Sequence, residues 1–296
     1  MSSISTAKAL ASRTTFAGRS WFYDFIEMPS VFSDSSCNEA ASRLLMRYSK
    51  LTKKWTSEKN SEWTCRLFMA SKLIMSATLH VNSMYYAKER NLRVVLPYLR
   101  YYSVLSLLRA IYLTLPEFDW KDGSIILVKH KPTIKAVINQ LREFDKNVAD
   151  WAESDIYKLK AERELVSYRS PSSGDVQVSG KNRFLSLSTL LAELAQFNSE
   201  LFELSLINHG NSSEFPLIPG YLEKISSVQI DDHYFVDCED AYRLGYLARK
   251  HPRPTNLMHL MTEGHVEDFF GVWASQEDSD EVFDPDTLNN IIFDIP

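Results

Sequence analysis

From Glu62 to about Arg90 the sequence carries an unbroken helical repeat. Leu67, Ala70, Ile74, Ala77, Val81 and Met84 recur at intervals of three and four, with no proline or glycine between. Apolar residues at that spacing share one face of a helix, whereas a strand would alternate them every second position. At about 1.5 Å per residue such a helix is roughly 40 Å long. Its apolar stripe needs partners of similar length, and the rest of the chain supplies them.

A helix is predicted over about Asn38 to Trp55, where Leu44, Tyr48, Leu51 and Trp55 form a stripe. Asn91 is a stop for the long helix. Pro97 opens the next one at the first-turn position that tolerates proline, and that helix runs to about Thr114. Further helices are expected at Pro132 to Phe144, Asn147 to Val166, Phe184 to Ile207, Glu239 to Lys250 and Thr255 to Ala274. Residues 227–238 alternate enough to permit one short hairpin, and Ile125–Val128 reads as a short strand or a buried connection. With only 9 glycines in 296 residues, a turn-rich sandwich is disfavoured. The expectation is a mainly α fold. Its divisions are a loosely ordered segment (1–36), a helical bundle (37–208), a C-terminal helical extension (209–275) and an acidic tail (276–296).

Charge is unevenly spread. Residues 1–253 hold all 33 Lys and Arg against 28 Asp and Glu, while residues 254–296 hold ten acids and no Lys or Arg. The basic surplus concentrates at residues 43–72. There Arg43, Arg47, Lys50 and Lys54 run at helical spacing beside the apolar stripe, with Tyr48, Trp55 and Trp63 interleaved. Cations with aromatics suit single-stranded nucleic acid, since rings stack on bases and cations neutralise phosphates. The same aromatics also satisfy a buried pattern. Phe269, Phe270, Trp273, Phe283 and Phe293 lie among the C-terminal acids, so the tail is expected to fold back onto the basic face.

Cys37, Cys65 and Cys238 are far apart and odd in number, which suits a reducing, cytoplasmic setting better than a disulfide scaffold. No apolar run is long and charge-free enough to predict a membrane span. Residues 1–23 carry Lys8, Arg13 and Arg19 and no acid before Asp24. A transit peptide has that composition; a loosely ordered N-terminus has it too and is preferred. No phosphate-cradling glycine motif, G-x-S-x-G or H-E-x-x-H is present. No cofactor or metal is expected: His251, His259 and His265 are separated by a proline-containing stretch that does not hold them on one helical face.

One region has a recognisable order. Pro97-Tyr98-Leu99-Arg100-Tyr101-Tyr102-Ser103-Val104-Leu105-Ser106-Leu107-Leu108-Arg109-Ala110 is followed by His130 and a new helix, then by Arg163-Glu164-Leu165-Val166-Ser167-Tyr168-Arg169-Ser170-Pro171. This order, over about residues 85–175, resembles the HEPN superfamily of helical bundles and, within it, the YaaC-like bacterial proteins. The resemblance implies a bundle with added N- and C-terminal helices, often a homodimer, in toxin–antitoxin or phage-defence settings. It also implies a site that draws on Tyr101, Tyr102, Arg109 and His130. Catalytic members are metal-independent ribonucleases that use an Arg and a His separated by four to six residues. Here Arg163 is followed at that distance by Tyr168, and tyrosine titrates too high to be a good base at neutral pH. The other match by spacing is Arg253 with His259, outside the resembling region. The expectation is therefore a non-enzymatic module that binds RNA or a protein partner, with a ribonuclease as the alternative.

Overall fold

In a computed structural model, residues 15–176, 178, 183–250, 254–275 and 282–295 are described. The molecule is mainly α with two small antiparallel hairpins, β1 (Thr15–Phe16) with β2 (Arg19–Ser20) and β3 (Ser227–Ile230) with β4 (His233–Val236). The helices are α1 (Glu27–Val31), α2 (Asp34–Thr52), α3 (Ser57–Glu89), α4 (Leu96–Leu113), α5 (His130–Phe144), α6 (Lys146–Arg169) and α7 (Phe184–His209). They continue with α8 (Pro219–Ser226), α9 (Cys238–Lys250), α10 (Leu257–Leu260) and α11 (Glu263–Gly271).

Local chemistry sets the helix ends. Ser33 caps α2 by accepting from Ser36 N at 3.1 Å. Asp145 closes α5 and caps α6, its Oδ1 accepting from Asn147 N at 2.7 Å and Val148 N at 3.0 Å. The stop after α3 is as the sequence suggests: Asn91 takes a positive φ of 57°, and Leu92 N donates to Ala87 O at 2.8 Å. That is the hydrogen bond by which a left-handed residue satisfies a helix's last carbonyls.

α3 and α4 lie along each other, and α7 packs on α4 and α2. Every residue of α7 from Leu190 to Phe202 is buried, so α7 is enclosed on all sides. α4 is apolar enough over Arg93–Leu113 to pass a composition test for a membrane span. Most of that stretch is buried in the bundle, where a core helix has the same composition.

Four expectations change. Residues 15–36, expected to be loosely ordered, are built into the core: Trp21, Tyr23, Phe25, Met28 and Phe32 are buried. The cause is on α7. Glu193 Oε1 accepts from Ile26 N at 2.7 Å and Glu27 N at 3.0 Å, and its Oε2 accepts from Met28 N at 2.7 Å, so a buried carboxylate holds the start of α1. The helix expected over 255–274 is two short ones, α10 and α11, broken at Met261 and Thr262. Of the two readings open for Ile125–Val128, the strand falls: residues 121–127 form a 3-10 turn, a connection in which Ile125 is buried.

The fourth change concerns the tail. Residues 276–281 lie outside the described residues, but Ile292, Phe293 and Ile295 are buried. Phe293 stacks on Tyr23 with ring centroids 4.5 Å apart, and Asn82 Nδ2 donates to Asp284 O and Pro285 O, both at 2.8 Å. The tail thus docks against Tyr23 and the second half of α3 instead of the basic face. Its aromatics drive it into apolar surroundings, which exposed cations do not offer.

Candidate functional site

Six of the residues singled out in the sequence come from three helices. α4 carries Tyr101, Tyr102 and Arg109. His130 is the first residue of α5. Arg163 and Tyr168 lie in the last two turns of α6. The Tyr101 hydroxyl is 2.8 Å from His130 Nδ1. The Arg163 guanidinium sits 5.0 Å from the centre of the Tyr101 ring and 6.0 Å from that of Tyr168, so it stands beside two aromatic faces. Tyr102 meets Tyr101 edge-on at 5.5 Å.

The electrostatics follow from the neighbours. Burial, then the positive charges of Arg109, Arg163 and Lys160, hold the His130 imidazole below its ordinary value. Burial raises Tyr101 despite the nearby Arg163. At neutral pH the pair is therefore a neutral imidazole and a protonated phenol, joined so that a proton can pass between them. Cationic charge surrounds it. Arg163 pairs with Glu164 at 3.6 Å, yet its Nε and the Nε of Arg109 are buried with no hydrogen-bond partner. Outside the cluster two rings are open: Tyr168 is 74% exposed and Tyr102 40%. A cleft of about 490 Å³ opens beside the end of α6, bordered by Arg93, Pro97, Val166 and Ser170.

The other candidates are placed differently. Arg253 lies outside the described residues. His259 is on α10, with Nδ1 3.3 Å from Glu203 Oε1 and its ring against Phe22. On α2, Arg47 Nη1 makes two 2.9 Å bonds to Glu143, and its Nε lies 3.4 Å from Glu117. Arg43 pairs with Glu39 at 3.6 Å and donates to Glu143 O at 2.5 Å. Lys50 and Lys54 are exposed. Tyr48, Trp55 and Trp63 pack around Phe202, with centroid distances of 5.2, 5.1 and 4.4 Å. Of the face read in the sequence from Arg43, Arg47, Lys50 and Lys54, the interleaved rings pack inward on Phe202, while Lys50 and Lys54 stay exposed.

Two further cations of that stretch are also used internally. Arg66 is buried and donates to the carbonyls of Leu113, Leu115 and Phe118. Lys72 binds Asp240 at 2.5 Å and Asp237 at 3.3 Å.

No family model, curated protein or solved structure matches this chain. Among the described residues, no group of three or more His, Cys, Asp or Glu side chains is arranged to hold a metal ion. Cys37, Cys65 and Cys238 are free thiols, the first two buried and raised to about 12 by burial. The two buried thiols, Cys37 and Cys65, are poor nucleophiles at neutral pH.

Sequence reading missed Lys160 and Glu164, which tune the cluster. Their i,i+4 spacing around Arg163 was available as a signal.

Proposed function

We propose that this chain is a HEPN-like helical module that binds single-stranded RNA at the Tyr101–His130–Arg163 cluster. The observation that carries the reading is Arg163 standing beside Tyr101 and Tyr168, with Tyr168 open to solvent. Guanidinium groups neutralise phosphates, and exposed rings accept stacked bases of any identity. Sequence-independent binding is the expected behaviour.

A ribonuclease is the second reading, and one contact favours it. His130 supplies an imidazole that burial and nearby cations keep neutral at pH 7, a base that the Arg163–Tyr168 spacing lacks. In that reading neutral His130 takes the proton of a ribose 2′-hydroxyl as that oxygen attacks phosphorus. Arg163 holds the non-bridging oxygens. The 5′-oxygen departs and is protonated by water, leaving a 2′,3′-cyclic phosphate.

One experiment separates the two. The protein is titrated into a fluorescent single-stranded RNA in EDTA, with anisotropy and gel analysis of the same samples. Saturable, salt-sensitive binding of intact RNA that weakens in Arg163→Ala supports the module. Cleavage lost in both Arg163→Ala and His130→Gln supports the enzyme. Neither binding nor cleavage at low salt rejects both.

A further inference from the structure

Every residue of β4 is exposed, and so are three of the four in β3. Most of them are apolar or aromatic. On β4, Tyr234 is 68%, Phe235 55% and Val236 56% open, and Val228 and Ile230 of β3 are exposed beside them. A two-stranded hairpin is marginal in water by itself, and apolar side chains left in solvent gain nothing from burial. Sheet edges of this kind are ordinarily guarded by Lys, Pro or a bulge. Residues 227–237 contain no Lys, Arg or Pro, and the register from Ser227↔Val236 to Ile230↔His233 runs without a bulge.

That register fixes which backbone groups the edge offers. Asp237 N donates to Ser226 O at 2.7 Å, so the ladder continues into Ser226 and Asp237 as a hydrogen-bonded pair. Antiparallel pairs alternate between bonded and non-bonded. His233 and Phe235 therefore turn their amides and carbonyls toward β3, while Tyr234 and Val236 turn theirs outward. Among the described residues, no strand pairs with that outer edge.

We propose that β4 pairs with β4 of a second copy of this chain, antiparallel about a twofold axis at Phe235, to form a four-stranded sheet. Only outward-facing residues exchange hydrogen bonds across such an axis. Centred on Phe235, Tyr234 lies opposite Val236 of the second copy and Val236 opposite its Tyr234, each pair exchanging two backbone bonds. Phe235 then faces Phe235, and one rung reads Val228, Phe235, Phe235, Val228 across the sheet, an apolar row on one face. His233 comes opposite Asp237, a carboxylate that binds Lys72 yet keeps half of its side chain exposed.

Neighbouring registers lack this complementarity. An axis at Tyr234 sets Asp231 against Asp237 and Asp232 against Val236. An axis at Val236 sets Phe235 against Asp237 and runs the ladder into Cys238, where α9 begins. The hairpin's charge also argues against nucleic acid as the occupant: residues 227–237 carry Asp231, Asp232 and Asp237 and no Lys or Arg. The proposed RNA site uses none of these residues, so either proposal can fail without the other.

Strands this short bury little area, and contacts below the ordinary interface size are weak, so the Kd should be micromolar. Sedimentation velocity over a micromolar to millimolar series is expected to show a reversible monomer–dimer equilibrium. Tyr234→Pro removes an outward N–H and spares the bonds to β3, since proline is tolerated on an edge, and it should weaken dimerisation at least tenfold.

Cross-linking reads the register. In a Cys238→Ser background, Phe235→Cys sets two thiols on a non-bonded pair with Cα atoms about 4.5 Å apart, within disulfide reach. Mild oxidation should trap that dimer, whereas His233→Cys, which faces Asp237, should not cross-link. If Phe235→Cys does not fold, the Tyr234→Pro comparison still decides the matter. A protein that stays monomeric at millimolar concentration overturns the proposal. So does a dimer that Tyr234→Pro leaves intact, or one that His233→Cys traps and Phe235→Cys does not.

Discussion

The α2 face and the α4–α6 cluster look alike in sequence, each a set of cations with aromatics among them. In three dimensions they are opposites. On α2, Arg47 is bound by Glu143 and Glu117, Arg43 by Glu39, and Tyr48, Trp55 and Trp63 surround Phe202. On the cluster, Arg163 has one carboxylate, Glu164, at 3.6 Å, and Tyr102 and Tyr168 are open. The difference is availability. A cation already matched by carboxylates has little field left for a phosphate, and a ring in the core has no face for a base.

The largest test of that contrast is Phe202→Ala. It removes the ring on which the three aromatics converge, and should cost about 3–5 kcal/mol in denaturant unfolding. Tyr168→Ala, at an exposed ring, should cost under about 0.5 kcal/mol. Equal costs would break the comparison.

RNA affinity comes next. Arg163→Ala should weaken binding by about 1–3 kcal/mol, roughly fivefold to 150-fold, whereas Arg47→Ala should change it less than about twofold. If Arg47→Ala were the more damaging, the α2 face would be the binding surface after all.

The smallest effect is in pH. His130 is held below its ordinary value, so it stays neutral until the solution is more acidic than about 6.5 and gains charge only below that. RNA affinity should therefore rise on acidification, by about fivefold at most, and His130→Gln should remove the rise. The α2 candidates include no histidine and would give no such step. The same depressed value has a cost for the fold. The unfolded chain binds the His130 proton first as pH falls, so His130 contributes to a loss of stability in that window, which His130→Gln should lessen.

Much of the fold was legible. The long helix, the Asn91 stop, the Pro97 start and the hairpin at 227–238 all rest on interactions within a few residues, and those are written in the local pattern. The cluster was legible as an ordered set of residues, but its convergence was not. Tyr101 and His130 are 29 positions apart, and Tyr101 and Arg163 are 62 apart. The order of the N-terminal segment was not legible either. It depends on Glu193 and Glu200 of α7, about 170 residues away, accepting its backbone amides.

The sequence by itself determined which segments are helices and where several of them stop, because periodicity and capping act over one or two turns. Only the tertiary structure decided which cations are free. That outcome depends on whether a carboxylate such as Glu117 or Glu143, 70 or 96 positions from Arg47, is carried to within about 3.5 Å of it. Coulomb attraction acts through space and falls off with distance, and spacing along the chain does not measure it.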